Sequence, residues 1–144
     1  MHRATRFAVL LGVRHAIHHL SDYWLQTDHQ ALTKGLTGPD GASACARHVA
    51  TYTVANAVSI ALASRVFGLR LTTRGIIAGE LVSAATHYTA DRRDHGLLFW
   101  LANRFRKGEY LKRGGAPYLD QSWHHVFNAL AAAVTAVVDD DSNA

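Results

Sequence analysis

The chain has 144 residues, of which 49 % are hydrophobic and 18 % charged, the size and make-up of one folded domain; disorder and low-complexity function are excluded. Lysine and arginine number 15 against 11 acids, a basic balance that suits phosphates, nucleic acid or an anionic membrane as partner. Cys45 is the only cysteine, so an internal disulfide and a cysteine-built zinc cage are excluded too, whereas histidine, at 10, nearly equals the acids.

Five helical segments and no strand are predicted. Helix 1 runs from about Thr5 to Lys34 and is broken by Gly35, Gly38 and Pro39, with Asp40 placed to cap the second helix. Helix 2 covers about Ala42 to Phe67 and closes at Gly68. Thr72 or Thr73 caps helix 3, about Arg74 to Arg93. Gly96 separates it from a shorter helix 4, Leu97 to about Arg113, and Gly114, Gly115 and Pro117 form a turn. Helix 5 starts near Leu119 or Asp120 and ends near Val138. Short connections between long helices favour an all-α antiparallel bundle of four long helices and one shorter one. Residues 1–144 are expected to form a single domain, with the acidic end from Asp139 onward fraying in solvent.

On helix 5, Trp123, Phe127, Leu130, Val134 and Val137 recur at steps of three and four, and this stripe is expected to face the core. Ala131, Ala132 and Ala133 allow close helix approach. Trp24, Trp100 and Trp123 are expected as core anchors and Cys45 as a small buried filler. No cleavable leader is read at the N-terminus. Asn56 interrupts the apolar run from Thr53 to Ala63, and Ala129 to Val138 is too short to span a bilayer. With a mean hydropathy of −0.03, the expectation is a cytoplasmic bundle, with membrane association left open.

The polar stripes carry the chemistry. At about 100° per residue, His15, His18, Asp22, Gln26 and His29 of helix 1 fall within an arc of about 80°. A solvated face would carry Lys and Glu; this one carries imidazole, carboxylate and amide. His87 and Asp91 on helix 3 lie four apart, and so do Asp120 and His124 on helix 5 in reverse order. Helix 2 adds His48, with Tyr52 one turn on. Neutral imidazole and carboxylate ligate Zn, Mn and Fe, and facing helices of a bundle build two-metal sites from such groups. Seven ligands, His18, Asp22, His48, His87, Asp91, Asp120 and His124, are too many for one tetrahedral ion and suit two divalent ions. Gln26 and His29 are candidates for orienting ligands or moving protons. Lys34 and Arg92 are candidates for holding a substrate phosphate, with Arg93 beside them. Arg104, Arg106, Lys107, Lys112 and Arg113, interleaved with Phe105 and Tyr110, form a basic stretch that suits nucleic acid or lipid headgroups.

The segments HHLSDYWLQTDHQALTKG, ARHVATYT, SAATHYTADRR and YLDQSWH resemble the uncharacterised family DUF3307, especially its short actinobacterial and phage-type members, over about His15 to His125. The family's recurring positions fall here on His18, Asp22, Gln26, Lys34, His48, His87, Asp91, Asp120, Gln121 and His124. The resemblance supports a common site and implies no substrate. A metal-dependent hydrolase directed at phosphoesters is the function expected. The partners expected are a phosphate-containing small molecule or nucleic acid, a membrane surface, and a second copy of the chain. A non-catalytic metal-stabilised binding protein and a membrane protein relaying protons are the alternatives.

Overall fold

The structure is a computed structural model and describes residues 2–92 and 96–141, with side chains as far as Val138. Arg93, His95 and the side chains of the acidic tail lie outside the described residues. Among the described residues every regular element is helical: α1 (Arg3–Leu20), a π-helical turn (Ser21–Leu25), α2 (Asp28–Thr33), α3 (Gly38–Phe67), α4 (Thr73–Asp91), α5 (Leu97–Arg104), α6 (Gly108–Tyr110), a second π-helical turn (Leu111–Gly115) and α7 (Ala116–Asp141).

Local chemistry sets these boundaries. Thr27 and Gln30 form a reciprocal capping box at α2. Pro39 sits in the first turn of α3, where its missing N–H costs nothing, and Gly68 ends that helix with φ at 63°. The Thr72 hydroxyl accepts from Gly75 N at 3.0 Å and opens α4.

Two expected helices are divided. The first is not continuous to Lys34: it passes into the π turn, goes extended at Gln26 and Thr27, and restarts as α2. The fourth stops at Arg104, because Arg106 adopts a left-handed φ of 58°. Conversely, α3 and α7 begin earlier than expected, at Gly38 and Ala116.

The helices α1, α3, α4 and α7 alternate in direction and close into a ring in which each touches two neighbours. The α4–α7 contact is the most extensive. Gly79 permits it: a Cβ there would collide with the Thr135 hydroxyl and lie 2.9 Å from the Ala131 carbonyl.

The interior is polar along most of its length. The buried face of α1 carries Arg14 and His18, that of α3 His48, Tyr52 and Asn56, that of α4 Glu80, Ser83, His87 and Asp91, and that of α7 His124, Asn128 and Thr135. Leu10, Ile60, Ala132 and Ala136 form a small apolar plug at the end where α3 finishes. The expected core stripe of helix 5 is therefore corrected. Leu130 and Val137 are exposed, Trp123, Phe127 and Val134 are half-buried, and the adjoining stripe of His124, Asn128 and Thr135 faces inward. Trp24 and Trp100 are not core anchors either, being 81 % and 62 % exposed. Trp123 is half-buried; its indole N–H donates to the Thr86 carbonyl at 3.0 Å.

Candidate metal centre

Each of the four long helices contributes one buried histidine at the same end of the bundle: His18, His48, His87 and His124. On α4 and α7, and in the π turn that continues α1, a carboxylate stands four residues from the imidazole. Because α1 and α4 run toward that end, the order is His18 then Asp22, and His87 then Asp91. Because α7 runs away from it, the order reverses to Asp120 then His124. The reversed motif in the sequence is thus one spatial arrangement read in the opposite chain direction.

Two of the histidines meet. His48 Nε2 and His87 Nε2 are 3.0 Å apart. Asp22 Oδ1 lies 3.3 and 3.4 Å from these nitrogens, and Asp91 Oδ2 lies 3.3 and 3.2 Å from them. Each of the two carboxylate oxygens thus stands beside both ring nitrogens. The ligand atoms of Asp22, His48 and His87 lie within 4.8 Å of one another, a grouping that could hold a metal ion, and imidazole nitrogen and carboxylate oxygen are the donors that zinc takes. The buried oxygens Asp22 Oδ1 and Asp91 Oδ2 have no hydrogen-bond partner. Imidazole nitrogens and carboxylate oxygens that converge in this way fit a divalent cation.

A second, more open group adjoins it. Asp22 Oδ2 is 3.6 Å from His18 Nε2, and Asp120 Oδ1 is 3.6 Å from His124 Nε2. The His18 and His124 rings are 4.6 Å apart. The ligand atoms of Asp91, Asp120 and His124 lie within 4.8 Å of one another, and so do those of His18, His87 and His124. Asp22 thus faces both groups, one oxygen to each. All seven residues expected as ligands are gathered here, in clusters that could hold a metal ion.

A cavity of about 490 Å³ leads to this centre, lined by Asp22, Tyr23, Gln26, Lys34, Asp91, Phe99, Asp120 and Gln121 among others. Asp120, with 26 % of its side chain exposed, is the member of the cluster most open to it. Gln121 Oε1 reaches His18 Nε2 at 3.2 Å.

The other expected residues fall in different places. Lys34 is buried, and its ammonium sits 2.9 Å from Asp91 Oδ1, the oxygen not in contact with His48 and His87. Its partner is thus a carboxylate of the cluster. Arg92 donates to the carbonyls of Lys34 at 2.8 Å and Leu36 at 2.9 Å, and so ties the end of α2 to α4. Gln26 donates to the Asp22 carbonyl and lines the cavity. His29 is exposed on α2, because the π turn and the extended Gln26–Thr27 link change the phase on which its inward placement depended.

Two groups escape the sequence reading. His15, placed by the helix 1 arc beside His18 and Asp22, instead joins His19 and His125 in a half-buried cluster on the α1–α7 seam, with the His15 and His125 rings 4.3 Å apart. Deeper in the bundle, Arg14 pairs with Glu80 at 3.0 Å, and the Tyr52 hydroxyl joins Ser83 at 2.8 Å and Asn128 at 3.0 Å. The signal for the latter was present: Arg14, Asn56, Glu80 and Asn128 each lie on the helix face that also carries the ligands.

No family model, curated protein or solved structure matches this chain.

Proposed function

We propose that the chain is a metal-dependent hydrolase directed at phosphoesters, built around two divalent cations of the Zn, Mn or Fe kind. The observation that carries this reading is the convergence of Asp22, His48, His87 and Asp91, joined through Asp22 to the more open group beside the cavity. The first position has four protein donors; the second has fewer close ones and faces the cavity, so it retains room for water and substrate. Divalent ions held there would supply Lewis acidity and a water acidic enough to be deprotonated near neutral pH.

The chain's own groups do the rest. Three carboxylates offset most of the charge of two dications, and Lys34 holds Asp91 in its orientation from behind. Asp120 stands where it can accept a proton at the cavity wall. A phosphate-bearing substrate, small molecule or nucleic acid, is the class that such a centre draws. The residues of this centre are those on which the resemblance to DUF3307 rests, and membership of that family is part of the same proposal.

The full coordination of the first position also suits a non-catalytic protein that uses metal only to hold its fold. Metal analysis combined with hydrolysis of bis(p-nitrophenyl) phosphate and p-nitrophenyl phosphate separates the readings. A hydrolase gives turnover that depends on added Zn or Mn and is abolished by Asp22→Asn. Bound metal without turnover of either ester favours the structural reading, and failure to bind either metal overturns both.

A further inference from the structure

The distribution of polarity in the four long helices is the reverse of that in a water-soluble bundle. No Asp, Glu, Lys or Arg occurs on α3 between Arg47 and Arg65, or on α7 between Asp120 and Asp139. Between Arg6 and Asp22 the only such residue on α1 is Arg14; between Arg74 and Asp91 the only one on α4 is Glu80. Those two are buried and paired with each other. The outward faces instead carry Val54, Val58 and Leu62 on α3, Ile77 and Leu81 on α4, and Val126 and Leu130 on α7, all exposed. On α1 the outward positions are Ala8, Gly12 and Ala16.

We propose that this bundle lies across a lipid bilayer, its outer surface packed against hydrocarbon and its histidine–aspartate centre lying at one headgroup level. A second copy of the chain or a protein partner would cover one side; the uncharged surface here runs round all four. The lengths agree. With 18 and 19 residues, α1 and α4 extend about 27–29 Å, close to the roughly 30 Å of a bilayer's hydrocarbon. α3 is by itself long and apolar enough to cross. Between α1 and α3 an apolar cleft of about 300 Å³, lined by Val13, Ile17, Leu62 and Val66 among others, opens sideways onto this surface and fits an acyl chain.

The end that bears the centre has the features of a membrane boundary. Tyr23, Trp24, Trp100 and Tyr118 are exposed there, the residue types that collect at headgroups. The basic stretch Arg104–Arg113 lies at the same end and complements anionic lipid. The half-buried His15, His19 and His125 also sit toward this end, within reach of the interface. In a bilayer the interior polar groups, costly against lipid, are the ones shielded by the other helices.

The test uses the full chain and does not involve metal or turnover. It is expected to remain with membranes through an alkaline carbonate wash, to need detergent for extraction, and to insert into vesicles of phosphatidylethanolamine and phosphatidylglycerol. In the Trp123→Phe variant, fluorescence of Trp24 and Trp100 is expected to be quenched more by lipids brominated near the headgroup than by lipids brominated at the chain ends. Val58→Lys, at mid-helix on the outer face, is expected to lower insertion roughly a hundredfold. A detergent-free, monodisperse wild-type protein of any copy number, with Val58→Lys behaving identically, overturns the proposal.

Discussion

His48 and His87 point the same ring nitrogen at each other across 3.0 Å, from helices 39 residues apart in sequence. An oxygen of Asp22 and one of Asp91 stand beside both nitrogens, and a carboxylate oxygen accepts only. A cation at the centre of the four resolves the arrangement, because every donor atom then has a use.

Metal removal is therefore expected to lower stability. A ligand that binds only the folded state at about a thousand times its Kd adds about 4 kcal/mol. Thermal melts of the protein in matched detergent, with and without a chelator, measure this. His48→Ala is expected to abolish the chelator-sensitive difference, since it removes a nitrogen that faces Asp22, His87 and Asp91.

Lys34 touches a ligand carboxylate from the side away from the centre. Lys34→Met is expected to weaken metal binding by about 10- to 100-fold through lost orientation of Asp91, with the helical content retained. Competition against a chromophoric chelator gives the affinity, and circular dichroism checks the fold.

The Arg14–Glu80 pair is buried on both sides. Glu80→Leu alone strands the guanidinium and is expected to cost about 3–5 kcal/mol, whereas Arg14→Met with Glu80→Leu is expected to recover most of that loss. A double-mutant cycle by denaturation reads the coupling; additive losses would contradict it.

Gly79 marks the closest approach of α4 and α7. Gly79→Ala puts a methyl group against Thr135 and the Ala131 carbonyl and is expected to cost about 1–3 kcal/mol of stability. Exposed Gly12→Ala, whose Cβ meets nothing within 4 Å, is the control and is expected to stabilise α1 slightly.

The all-α fold and the gathering of the seven ligand-type residues were legible because a spacing of four survives any tertiary arrangement. His18 with Asp22, His87 with Asp91 and Asp120 with His124 share a face whatever packs against it. The break after Leu20 was not legible. Asp22, Tyr23 and Trp24 carry no glycine or proline signal, and a π turn changes helical phase without changing composition, which misplaced His29. The orientation of helix 5 was also hidden. Leu130 and Val137 show that the helix has two unlike faces, but periodicity does not say which one turns inward. Trp123, Phe127 and Val134 edge the buried face while Leu130 and Val137 lie outside it, and the assumption that apolar means interior also misplaced Trp24 and Trp100.

The plug of Leu10, Ile60, Ala132 and Ala136 closes the bundle at the end opposite the centre. The polar interior therefore runs from the cavity at one end to apolar side chains at the other. A proton passed inward from the aspartates meets no polar side chain among Leu10, Ile60, Ala132 and Ala136 to receive it. Opening that route would take a change in the plug itself, where Ile60 and Leu10 fill the space that a conduit would need.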